Sequence, residues 1–126
     1  MTLLYIDDDQ DDLDLFREAV NSIHPSHQCL VALTGEEGIR LLEAVKPDLI
    51  FLDINMPGLG GWDLVKMIRA KREFDNVPVY MLSTTRNRAE LEMFTHMGAS
   101  GCLVKPNSFR ELCEIFKSLL MEKEKE

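Results

Sequence analysis

Five short apolar runs, each followed by a stretch of helical periodicity, constrain this chain of 126 residues more than any other feature. Residues 3–6, 29–33, 49–52, 77–82 and 102–104 read as strands. The run Leu49-Ile50-Phe51-Leu52 shows no apolar–polar alternation, as expected of a strand covered on both faces. Between the runs, Leu13, Phe16, Val20 and Ile23 recur at helical spacing over 12–23, until His24-Pro25 breaks the pattern. Thr34 stands as an N-cap before Ile39, Leu41, Leu42 and Val45, and Lys46-Pro47 ends that helix. Helices are also expected over 62–70, over 87–97 with Gly98 closing it, and from the N-cap Ser108 to about residue 121. Strand and helix in strict alternation imply parallel strands joined by right-handed crossovers. The product is an α/β protein, a doubly wound five-stranded parallel sheet with helices on both faces.

In such sheets the groups just beyond the strands' carboxyl ends line one crevice. Here the first strand delivers Asp7-Asp8-Asp9, the third Asp53, the fourth Ser83-Thr84 and the fifth Lys105-Pro106. A carboxylate at the end of a hydrophobic strand is costly to half-bury unless something uses it. Two unit charges about 4 Å apart repel by roughly 4 kcal/mol at an effective dielectric of 20. A hard divalent cation reverses that sign, and magnesium takes one or two carboxylates while leaving room for waters and phosphate oxygens. Asp53 is then a candidate nucleophile, able to form an acyl phosphate when cations neutralise the transferring oxygens. Lys105 brings a compact charge suited to pairing first with Asp53 and then with phosphate, and Ser83 brings a hydroxyl donor. Thr84 and Thr85 serve equally as N-caps of the fourth helix. Asp9, Asp11, Asp12 and Asp14 suit the N-terminus of the first helix.

Bulk properties exclude other classes. Fourteen basic against 22 acidic residues give a charge of −8, and the cluster Arg69, Lys71, Arg72 is too small to bind nucleic acid. No apolar stretch is long enough for a membrane span, and the N-terminus lacks the pattern of a secretory signal. Three scattered cysteines, Cys29, Cys102 and Cys113, favour reduced thiols and a cytoplasmic location. His24 and His27 lack a third metal ligand, and His96 reads as an exposed helix residue. The acidic loop after the first strand is no glycine-rich phosphate cradle.

Taken in order, Tyr5-Ile6-Asp7-Asp8-Asp9, Leu52-Asp53-Ile54-Asn55-Met56-Pro57 with Gly61 and Asp63, Leu82-Ser83-Thr84 and Val104-Lys105-Pro106 resemble the receiver domain of two-component response regulators. The resemblance runs from Leu3 to about Leu120. It implies a flavodoxin-like fold of strand order 2-1-3-4-5, with a receiver domain over 1–121; the alternating Glu and Lys of 122–126 read by themselves as a frayed, charged tail. It further implies that Asp53 accepts phosphate from a sensor histidine kinase or phosphotransfer protein. Asp8 and Asp53 would ligate magnesium directly, Asn55 through its backbone carbonyl and Asp7 through water, while Ser83 and Lys105 bind the phosphoryl oxygens. The Lys105-Pro106 bond is expected to be cis. Cys102 stands where the family often has a Tyr or Phe that reports phosphorylation. The face of helix four, strand five and helix five is where a downstream protein partner is expected.

The leading expectation is a stand-alone receiver acting as a cytoplasmic switch, not an enzyme, with no helix-turn-helix after the fifth helix. One alternative is a magnesium phosphohydrolase with an aspartyl nucleophile, although Asn55 stands where such enzymes carry a second carboxylate. Another is a pseudo-receiver that never takes phosphate, against which the intact set Asp7, Asp8, Asp53, Ser83 and Lys105 argues.

Overall fold

The computed structural model describes residues 1–84 and 87–125. Among them the chain alternates β1 (Thr2–Ile6), α1 (Gln10–Ile23), β2 (Gln28–Ala32), α2 (Gly35–Ala44), β3 (Leu49–Asp53), α3 (Gly61–Arg69), a short 3-10 turn (Arg72–Phe74), β4 (Val79–Ser83), α4 (Arg88–His96), β5 (Gly101–Val104) and α5 (Phe109–Glu124). The described strands form one parallel sheet in the order β2-β1-β3-β4-β5, the architecture expected from the alternation.

Each face of the sheet carries its own core. Leu4, Ile6, Ile50, Leu52, Val79 and Met81 point to one side and pack against Leu42 of α2, Leu64, Val65 and Ile68 of α3, and Phe94 of α4. Leu3, Tyr5, Leu49 and Phe51 point to the other and meet Phe16 and Val20 of α1 with Phe116 and Leu120 of α5. There Phe16, Phe51 and Phe116 pack mutually with centroids 5.0–5.8 Å apart. Each such buried ring contributes about 1.5–3 kcal/mol from area alone.

Boundaries differ from the sequence reading where backbone hydrogen bonds decide them. β4 starts at Val79 because Val77 N–H donates to Phe74 C=O at 3.0 Å and Pro78 has no N–H. β2 stops at Ala32 because Leu33 N–H turns to the Glu37 carboxylate at 3.0 Å, beside the N-cap Thr34. α1 begins at Gln10, earlier than expected, because Asp9 caps it by accepting from Asp11 and Asp12 N–H. The N-cap of α4 is Asn87 and not Thr84, since Asn87 Oδ1 accepts from Glu90 N–H at 3.2 Å; Thr85 lies outside the described residues. α5 continues to Glu124, past the end expected near residue 121. No cis peptide occurs among the described residues, so Lys105-Pro106 is trans. The tertiary amide before proline leaves only about 0.5–1 kcal/mol between isomers, too little for sequence to decide.

Candidate functional site

Register puts the chemistry at one edge. Ile6 pairs with Leu52, Asp53 with Leu82, and Ser83 with Val104, so the strand ends stand side by side. The ladder then runs one residue further: Asp7 N–H donates to Ala32 C=O at 3.0 Å, Ile54 N–H to Leu82 C=O at 3.1 Å, and Lys105 N–H to Ser83 C=O at 2.8 Å. These bonds fix the backbones from which Asp7, Asp53 and Lys105 project. The N-terminus of α3 closes down on the same edge. A Cβ on Gly61 would stand 3.0 Å from both Asp53 C=O and Ile54 Cα, so only glycine fits without a shift.

Oxygens of Asp7, Asp8 and Asp53 lie within 4.8 Å of one another. Asp7 is 0% and Asp53 4% exposed, whereas Asp8 faces solvent. Three hard oxygen donors, one of them open to water, fit a magnesium ion that keeps several waters. Lys105 Nζ enters from the β5 side, 3.3 Å from Asp53 Oδ1, 3.1 Å from Asp7 Oδ2 and 2.9 Å from Asp12 Oδ2. Burial and the neighbouring Asp7 push the Asp53 carboxyl up to about 6, and the attraction of Lys105 only partly offsets them. Burial alone would lower Lys105, but its contacts with Asp12, Asp7 and Asp53 outweigh that and hold it above the ordinary lysine range.

Of the residues expected at the site, Asp7, Asp8, Asp53 and Lys105 are brought together directly. Ser83 is fully buried at the end of β4, and Asn55 lies exposed in the loop two residues past Asp53. Cys102 sits half-buried in β5, its Sγ 3.6 Å from Leu91 C=O on α4. Burial pushes its thiol up. Sequence reasoning missed two participants. Asp12 reads in the sequence only as an acid at a helix N-terminus, yet it gives Lys105 its shortest ion pair. Tyr5 is 3% exposed and donates its phenolic O–H to Asp7 Oδ2 at 2.5 Å. Strand alternation places residues 5 and 7 on one face, and a phenol in a buried strand needs a partner, so this contact had a signal.

A doubly wound parallel sheet whose carboxyl edge gathers three acids and a lysine defines a class, the α/β proteins with a charged binding edge. The family model for the response regulator receiver domain matches residues 3–117. The chain belongs to that family. It is 31% identical over 127 residues to the transcriptional regulatory protein AfsQ1 of Streptomyces coelicolor, covering 99% of this chain and 53% of that protein. To protein PilH of Pseudomonas aeruginosa it is 30% identical over 94 residues, covering 75% of this chain and 78% of PilH. The crystal structure of the signal receiver domain of a DNA-binding response regulator from Colwellia psychrerythraea superposes with a TM-score of 0.84 at 25% identity, covering 96% of this chain and 98% of that one. The chain spans 38–53% of the length of several curated relatives it matches. Receiver domains are signalling switches phosphorylated by histidine kinases or phosphotransfer proteins, and they use magnesium at an acidic pocket. No helix among the described residues is long and apolar enough to cross a membrane.

Proposed function

We propose that this chain takes a phosphoryl group on Asp53 from a phosphohistidine of a sensor kinase or phosphotransfer protein and signals to a protein partner. The observation that carries this is a carboxylate only 4% exposed, 3.3 Å from a lysine ammonium and clustered with two further acids. An Asp53 oxygen attacks phosphorus, the P–N bond breaks, and its electron pair returns to the imidazole nitrogen. When bound, magnesium neutralises the carboxylates and the oxygens in transfer. Asp8 and Asp53 would hold it directly and Asn55 through its carbonyl. Asp7 acts through water: its Oδ2 already accepts from Tyr5 and Lys105, and its Oδ1 from Asp9 N–H at 3.0 Å.

Ser83 and Lys105 bind the phosphoryl oxygens after transfer. The acyl phosphate carries about −2 charge where the carboxylate carried −1, and the loops that meet it best are favoured by that differential binding alone. The net charge of −8 favours a protein over nucleic acid as the downstream partner. On this reading the receiver spans 1–121 and works in the cytoplasm.

Intact mass after incubation with acetyl phosphate and magnesium tests the proposal. A single phosphate adduct in the wild type, absent from Asp53→Asn, is the expected result. Absence of an adduct in the wild type would favour a non-phosphorylated binding module. Repeated turnover of a phosphate ester would favour a phosphohydrolase.

A further inference from the structure

An ammonium has three N–H donors. Among the described residues Lys105 Nζ donates to Asp12 Oδ2 at 2.9 Å and to Asp7 Oδ2 at 3.1 Å, and lies 3.3 Å from Asp53 Oδ1 as an ion pair. A phosphoryl oxygen that draws Lys105 toward residue 53 pulls it away from the two acids that hold it by hydrogen bonds. The costs of release differ. The Asp7 side chain is 0% exposed, and withdrawing its one cationic donor among the described residues leaves the buried charge to Tyr5 and Asp9 N–H alone. Asp53 is the acceptor itself, and its charge passes onto the phosphoryl group. Asp12 lies in the first turn of α1 with its side chain 33% exposed, where water and the helix N-terminus take over its charge.

We propose that Asp12 is a positioning residue that holds Lys105 in the resting site and releases it on phosphorylation, so that its carboxylate restrains phosphoryl capture. This deepens the phosphoacceptor reading of Asp53 and rests on it. A contact present before transfer and absent after it opposes transfer by its own free energy. For a partly exposed ion pair that amounts to about two- to fivefold in rate.

The test measures the initial rate of adduct formation against acetyl phosphate concentration at saturating magnesium. Wild type is compared with Asp12→Asn, Asp12→Glu, Lys105→Met and the double variant Asp12→Asn/Lys105→Met. Asp12→Asn is expected to raise the limiting rate about two- to fivefold, with the half-saturating donor concentration unchanged. Asp12→Glu returns the rate toward wild type, and Asp12→Asn adds nothing in the Lys105→Met background. An equal or slower rate for Asp12→Asn overturns the proposal. So does an acceleration that persists without Lys105, because Asp12 then acts as a general surface charge. No adduct in the wild type overturns the phosphoacceptor reading and this inference with it. An adduct formed equally fast by wild type and Asp12→Asn removes this inference alone.

Discussion

The phenolic O–H of Tyr5 donates to Asp7 Oδ2, the oxygen that also accepts from Lys105. The hydroxyl thus joins the aromatic core, where Tyr5 lies 5.0 Å from Phe16 between ring centroids, to the acidic edge. Burial, and then the charge of Asp7, hold this phenol far above its ordinary titration range, so it remains a donor. Tyr5→Phe keeps the ring and leaves a buried carboxylate short of one hydrogen bond. A loss of about 1.5–3 kcal/mol in denaturant unfolding is expected, with the denaturant slope unchanged. An unchanged midpoint would show that water replaces the phenol without cost.

Asp53 links stability to pH. Its carboxyl rises from 3.8 to about 6 on folding, so the folded chain holds that proton more tightly than the unfolded chain. The resulting stabilisation is complete below 3.8 and is lost as pH climbs through about 6. In chelator, Asp53→Asn is therefore expected to exceed wild type by about 1–3 kcal/mol near neutral pH, and to match it at acid pH. A variant less stable than wild type at neutral pH would mean that the Lys105 pair dominates.

Magnesium acts on the same repulsion. It is expected to raise the melting temperature of the wild type, by about 2.7 kcal/mol of added stability at a hundredfold excess over its dissociation constant. Asp8→Asn should diminish the shift and Asp53→Asn should remove most of it. Differential scanning calorimetry with magnesium and then with chelator reads this directly. Equal shifts in all three proteins would place the ion elsewhere.

Gly61→Ala tests how closely α3 packs on the strand end that carries Asp53. The added methyl meets Asp53 C=O and Ile54 Cα at 3.0 Å and Met81 Cε at 2.8 Å. Met81 can yield, but the backbone cannot. A cost of about 1–3 kcal/mol is expected by thermal unfolding, together with slower phosphoryl capture. Gly58→Ala provides the contrast. Nothing lies within 4 Å of its would-be Cβ, and its cost comes from the backbone alone, at φ +70°.

Strand ends made most of this site readable in advance. Asp7, Asp53, Ser83 and Lys105 each directly follow or close an apolar run, and parallel pairing carries them to one edge whatever the side-chain detail. The Asp12–Lys105 contact was hidden because it depends on where the first turn of α1 tips over that edge, which periodicity does not specify. An aspartate there also satisfies the helix dipole, an ordinary reading that conceals the other one. The isomer at Pro106 and the start of β4 turned on differences of a hydrogen bond or less. The N-cap of α4 shifted to Asn87 because several capping residues stand in a row from Ser83, and sequence ranks them nearly equally.

Borohydride reduction of the phosphorylated protein, followed by peptide mass mapping, is the most direct measurement, because it converts an aspartyl phosphate into homoserine. Homoserine at position 53 and at no other aspartate is the expected result, with the signal dependent on magnesium. Homoserine at residue 7 or residue 8, with residue 53 unmodified, would contradict the assignment of Asp53 as phosphoacceptor.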